Sequence, residues 1–140
     1  RVGDTCVVHL SRDAIALAVV GDAGGGLQVW GDLPCAPAFH ECKIESRADN
    51  QISFTAKTAN LARALRSSCA HANAQAVVRL TKRTGAPTLS FEVAQPQTQL
   101  RMTHDVPVRL VLDQEELDRY CEPAVQDEWL VAAASVVLPP

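Results

Sequence analysis

Aromatic side chains are scarce. The 140 residues include three Phe, two Trp and one Tyr, too few for a stacking platform that would hold single-stranded nucleic acid. Core volume must therefore come mainly from Val, Leu and Ala. No apolar run approaches the roughly 20 residues that span a bilayer, and no basic, apolar, small-residue leader opens the chain, so neither a membrane span nor a retained signal peptide is expected. No C-x-x-C pair occurs among Cys6, Cys35, Cys42, Cys69 and Cys121. Five scattered cysteines suit reduced, packed thiols in a nuclear or cytosolic compartment better than a disulfide framework. A strong excess of charge is also missing. The net charge of −3 argues against a wholly basic nucleic-acid binder, but it leaves room for a local basic face.

The 47% hydrophobic and 21% charged residues suffice for one folded domain. Most segments alternate with the period of strands. Thr5 to Leu10 (TCVVHL), Ala14 to Val20, Leu27 to Leu33, Phe39 to Ser46 (FHECKIES) and Gln51 to Ala56 read as five strands. Turns at Ser11–Asp13, Gly21–Gly26 and Arg47–Asn50 punctuate them, and Pro34 to Pro37 breaks the pattern. From Lys57 to Asn73 the period changes. Leu61, Leu65, Cys69 and Ala72 recur at three- and four-residue steps, the stripe of an amphipathic helix with Thr58 and Asn60 as capping candidates. Ala76–Thr81 and Thr88–Val93 then form an expected hairpin around Lys82–Gly85, with Leu89, Phe91 and Val93 on one face. In the next strand Met102, His104, Val106, Val108 and Leu110 alternate with Arg101, Thr103, Asp105, Pro107 and Arg109. Pro107 has no amide hydrogen, which predicts a sheet edge or a break there. Residues 113–128 read as a polar connector, and the apolar run from Trp129 suggests a strand whose partners lie beyond Pro140. The sum is an α+β pattern, short strands around one amphipathic helix.

Tests for chemistry return little. Gly21–Gly26 (GDAGGG) lacks the helix that a phosphate loop needs behind it and reads as a hairpin turn. Of His40, Glu41 and Cys42, only the first and last share a strand face, and no second pair stands at zinc spacing, so no metal is expected. Cys69 lies on the apolar stripe, where a packed thiol is the default, and Glu115 and Glu116 are adjacent and solvated. No catalytic residue or cofactor is assigned. Lys57, Arg63 and Arg66 remain as a basic helix face, which could be an ordinary solvated face or a contact for DNA phosphates.

GGGLQVW, TANLARALRSSCAHANAQAVVRLTKRTGAPTLSFEV and MTHDVPVRLV resemble the Hus family of subunits of the heterotrimeric checkpoint sliding clamp, the nine-one-one complex, a relative of proliferating cell nuclear antigen. The blocks THDVPVRLV and LARALR are the most specific. The resemblance implies a sliding-clamp fold of which this chain is mainly the first of two similar halves, incomplete. Residues 1–112 would be the first clamp domain without its opening strand and helix, 113–128 the interdomain connector, and 129–140 the first strand of the second domain. It further implies a nuclear, non-enzymatic ring subunit without cofactors. Its partners would be two other checkpoint-clamp subunits, a clamp loader, double-stranded DNA, and checkpoint and repair proteins. Lys57, Arg63 and Arg66 would then line the DNA channel. Thr103, His104, Asp105, Val106, Pro107, Val108 and Arg109, with Cys69 and Ala72, would form a subunit joint, and Leu27 and Tyr120 a client pocket. Two alternatives stand beside this: a homotrimeric replication clamp, against which THDVPVRLV argues, and a small α+β enzyme or ligand-binding domain, which would need a polar pocket.

Overall fold

A computed structural model of the chain describes residues 3–19, 21 and 28–122. Ten elements follow in order: β1 (Thr5–Leu10), β2 (Ala14–Val19), β3 (Val29–Pro34), α1 (Cys35–Ala38), β4 (Ile52–Lys57), α2 (Thr58–Ser68), β5 (Gln75–Arg83), β6 (Ala86–Gln95), β7 (Leu100–Leu110) and α3 (Gln114–Asp118). The strands form one antiparallel sheet in the order β3-β2-β1-β4-β7-β6-β5. This is the α+β architecture expected. Among the described residues no helix is long and apolar enough to cross a membrane.

Alternation assigns the two faces. Paired residues of neighbouring strands share a face, so Phe54, Val8 and Cys6 point one way with Leu89, Phe91, Val106 and Val108. Leu61 and Ala64 of α2 close over them to form the buried core. On the opposite face Trp30, Ala18, Val7, Thr55 and Arg109 form one row across five strands. Residues 113–120 strap this row at both ends: Trp30 Nε1 donates to the Tyr120 carbonyl at 3.0 Å, and the Arg109 guanidinium pairs with Glu116. Small apolar residues between the two tethers, Val7 and Ala18, are buried.

Turn chemistry follows the residues present. Thr84 and Gly85 both adopt positive φ, 50° and 80°, the two-residue turn whose twist matches a hairpin. Asp49 and Asn50 (φ 55° and 56°) turn the chain into β4, and both residue types tolerate the left-handed region.

Several expectations need correction. Residues 39–46 form no strand. Cys42, Ile44 and Ser46 are indeed the half-buried positions, but both edges of β4 are taken by β1 and β7, so this alternation has no ladder to join. The helix stops at Ser68 rather than Asn73. Ser68 Oγ donates back to the Ala64 carbonyl at 2.8 Å, a local bond that competes with helix continuation, and the Cys69 N–H closes the last turn on Leu65. Leu65 is 48% exposed, and Cys69 and Ala72 are exposed too, because the sheet beneath α2 is filled by Leu61 and Ala64. Capping also differs: Thr58 Oγ1 donates to the Gly3 carbonyl at 3.1 Å, and its N–H to the Asp4 carbonyl. The N-terminal segment thus ties down the start of α2. Pro34 to Pro37 holds the end of β3 and one helical turn.

The largest correction concerns β7. It is not an outer strand, since β3 and β5 hold the ends of the sheet. It changes partner along its length, pairing with β6 over residues 100–107 and with β4 over residues 108–110. Pro107 sits at the changeover. The Val111 N–H donates to the Ser53 carbonyl of β4 at 2.8 Å, so odd-numbered residues turn their backbone groups towards β4. The hydrogen that Pro107 lacks therefore falls on the side away from β6, where the β6 ladder loses nothing.

Candidate functional site

The same alternation turns the backbone N–H and C=O groups of Arg101, Thr103 and Asp105 away from β6, and no strand pairs with them among the described residues. β4 has already passed into α2 at this level, leaving a stretch of open edge inside the sheet. A shallow cleft runs beside it, lined by Asn60, Arg63 and Ala64 of α2 and by His104, Asp105 and Val106 of β7. Ser67 Oγ and His104 Nε2 lie 2.7 Å apart and fix the helix to the strand. Unpaired backbone next to a polar-walled cleft is the geometry that accepts an added strand.

The residues expected at a joint divide by face. Val106 is 2% exposed and Val108 is also buried. Their side chains belong to the core under α2, and by the same alternation their backbone groups face the β6 side rather than the open edge. Thr103, Asp105, Pro107 and Arg109 are exposed. The Asp105 carboxylate meets Arg83 Nε across β6 at 3.4 Å, and Arg109 is engaged by Glu116. That pairing raises the Arg109 pKa and holds the Glu116 carboxyl below its ordinary value. Cys69 and Ala72 lie past the end of α2, and neither lines the cleft.

The three basic residues do not share one surface. Arg63 and Arg66 lie about 60° apart on the exposed side of α2, at 100° per residue, and neither has a carboxylate partner among the described residues. Lys57 ends β4 opposite Thr5, in register with the strapped face. Arg63 alone also borders the cleft. Tyr120 is half-buried where the strap meets Trp30, whereas Leu27 lies outside the described residues.

Sequence reasoning missed Asn60 and Ala64 as cleft residues, as well as Arg83 and Trp30. Asn60 lies three residues before Arg63 and so beside it on a helix, a signal that could have found it. Nothing local pairs Arg83 with Asp105 or Trp30 with Tyr120. Among the described residues no group of three His, Cys, Asp or Glu side chains is placed to hold a metal ion.

Comparison with known proteins agrees over the full length. The family model described as "Hus1-like protein" matches residues 1–140. A curated relative, "Checkpoint protein hus1 homolog" of Dictyostelium discoideum, is 25% identical over 127 residues, covering 91% of this chain and 46% of that protein. The chain thus spans about half the length of the relative it matches.

Proposed function

Since this chain belongs to the Hus1-like family, we propose that it supplies the first half of a non-enzymatic subunit of a ring-shaped DNA damage checkpoint clamp. Two other checkpoint-clamp subunits complete the ring, a loader places it on double-stranded DNA in the nucleus, and the ring recruits signalling and repair factors. The observation that carries this reading is the open edge of β7 at Thr103 and Asp105, bordered by the α2 cleft. A strand from the neighbouring subunit adds there. Backbone hydrogen bonds give the joint its register, and Arg63, His104 and Asp105 beside them select the partner. Residence on DNA is topological, so tight binding is not required. Arg66, with Arg63 beside it, meets phosphates through weak, salt-sensitive contacts that permit sliding. Residues 113–122 act as the start of the connector between halves, and clients dock near Tyr120.

Co-expression of the full-length protein with the two other clamp subunits, followed by light scattering, tests the assignment. One species with a single copy of each supports it. A homotrimer formed alone points to a replication-type clamp, and a monomer that ignores both partners sinks the reading. Within an assembled ring, Arg66→Ala lowers the slope of log affinity for duplex DNA against log salt by about 1, as one lost phosphate contact requires.

A further inference from the structure

Two of the five cysteines are neighbours in space. Cys35 opens α1 at the end of β3. Its N–H donates to the Asp13 carbonyl at 2.8 Å, and its side chain is buried, 4% exposed. Cys42 is half-buried in the extended segment after α1, and the two Sγ atoms are 3.3 Å apart. A disulfide requires about 2.05 Å between sulfurs, so closure needs a movement of little more than an ångström. Residues 39–46 can supply it, because they carry no ladder hydrogen bonds. The other thiols are placed differently: Cys6 is buried against the Ala56 carbonyl, and Cys69 and Cys121 are exposed.

We propose that Cys35 and Cys42 form a thiol-modification site, closing to a reversible intramolecular disulfide when a hydroperoxide oxidises Cys42. The Cys42 thiolate attacks the terminal peroxide oxygen. The O–O bond breaks, an alkoxide or hydroxide leaves and takes up the proton that the Cys42 thiol released, becoming alcohol or water, and Cys42 becomes a sulfenic acid. Cys35 sulfur then attacks Cys42 sulfur, the S–O bond breaks, and the hydroxyl departs as water with the Cys35 proton. Overall, two thiols and one hydroperoxide give one disulfide, one water and one alcohol, or two waters from hydrogen peroxide. The order follows from access. Burial, with Cys42 and Asp13 nearby, pushes the Cys35 thiol up to about 11, so at neutral pH it keeps its proton while the more open Cys42 meets the oxidant. In a reducing compartment such a bond is transient, as a redox sensor requires. Closure locks α1 and the segment behind it onto the Ser11–Asp13 turn.

The test treats the purified full-length protein with a small excess of hydrogen peroxide, blocks free thiols, and analyses non-reduced tryptic peptides by mass spectrometry. Residues 13–43 hold both cysteines with no internal Lys or Arg. This peptide should lose two hydrogens, escape alkylation, and recover both thiols with dithiothreitol. In Cys35→Ala the disulfide is lost and a dimedone adduct accumulates on Cys42. In Cys42→Ser, a change at a half-open position, both signals vanish. Full alkylation of both cysteines while Cys69 or Cys121 oxidises overturns the proposal, as does a Cys35 disulfide to any other cysteine. None of these readouts depends on ring assembly.

Discussion

The two faces of the sheet are closed by different means. On one, α2 lays Leu61 and Ala64 onto Phe54, Phe91 and Val106, and the seal is apolar burial. On the other, residues 113–120 cross a row of small side chains and are held chiefly by two polar tethers, Trp30 to Tyr120 and Arg109 to Glu116. Buried apolar area scales with free energy at about 25 cal/mol per Å², whereas exposed ion pairs contribute little and respond to salt and acid. The helix side therefore carries the stability of the fold, and the strap is the part that detaches first.

The sharpest test of that contrast is Phe54→Ala. Phe54 is 1% exposed at the centre of the core, and its truncation should cost about 3–5 kcal/mol in urea unfolding. Leu33, 47% exposed on the outer strand β3, should cost under about 1 kcal/mol when cut to Ala. Equal losses would mean that the core is not under α2. The two edges of β7 extend the comparison. His104→Pro removes a donor from the β6 ladder and leaves its acceptor unpaired, which should destabilise by about 1–3 kcal/mol. Thr103→Pro removes one from the open side, so stability should move by no more than about 1 kcal/mol while, if the proposed joint lies there, assembly with partner subunits is lost in light scattering. If both variants unfold alike, the edge is not open.

Smaller effects belong to the strap. Trp30→Phe deletes the donor to Tyr120, worth about 0.5–1.5 kcal/mol, and should speed tryptic cleavage after Arg119 without changing cleavage at Arg66. The Arg109–Glu116 tether gives the smallest effect. The Glu116 pKa is lowered in the folded state, so its contribution is complete above the ordinary glutamate value and is lost as pH falls through the lowered one. The Trp30 indole resonance should shift over that acid range, and Glu116→Gln should abolish that pH-dependent shift. A titration unaffected by the substitution would remove Glu116 from the strap.

What could be read in the chain was whatever a local period encodes. QISFTA and TLSFEV alternate because their apolar residues face the core under α2, although Ser53, Thr55, Thr88 and Ser90 on the other face are buried too, and LARALR repeats at helical steps because Leu61 and Ala64 meet the sheet. Period alone does not say what lies opposite. FHECKIES alternates as cleanly as any strand yet pairs with no strand among the described residues, and Leu65 and Cys69 continue a stripe after the surface beneath it has ended. Pro107 signalled a break in pairing, and a break is there, but the order of strands places it inside the sheet. The candidate site follows the same rule. Thr103 to Arg109 stood out as residues, whereas the cleft that Arg63 and Asn60 make with them depends on how α2 crosses β7.

The change of partner along β7 has a consequence for how the domain comes apart. Among the described residues, the block β1–β4 and the block β5–β7 share backbone hydrogen bonds only through Ser53–Ala56 and Val108–Val111, a short seam in a long sheet. α2 lies over β4, β6 and β7 and rivets the blocks from one side. The hairpin β5–β6, closed by its tight Thr84–Gly85 turn, is local in sequence and can form on its own timescale, while the seam waits for α2 to dock. Besides the seam, the two blocks are thus coupled by α2 on one face and by the strap from Trp30 to Arg109 on the other, and amide exchange at Arg109 and Val111 would report loosening of the seam before either block melts.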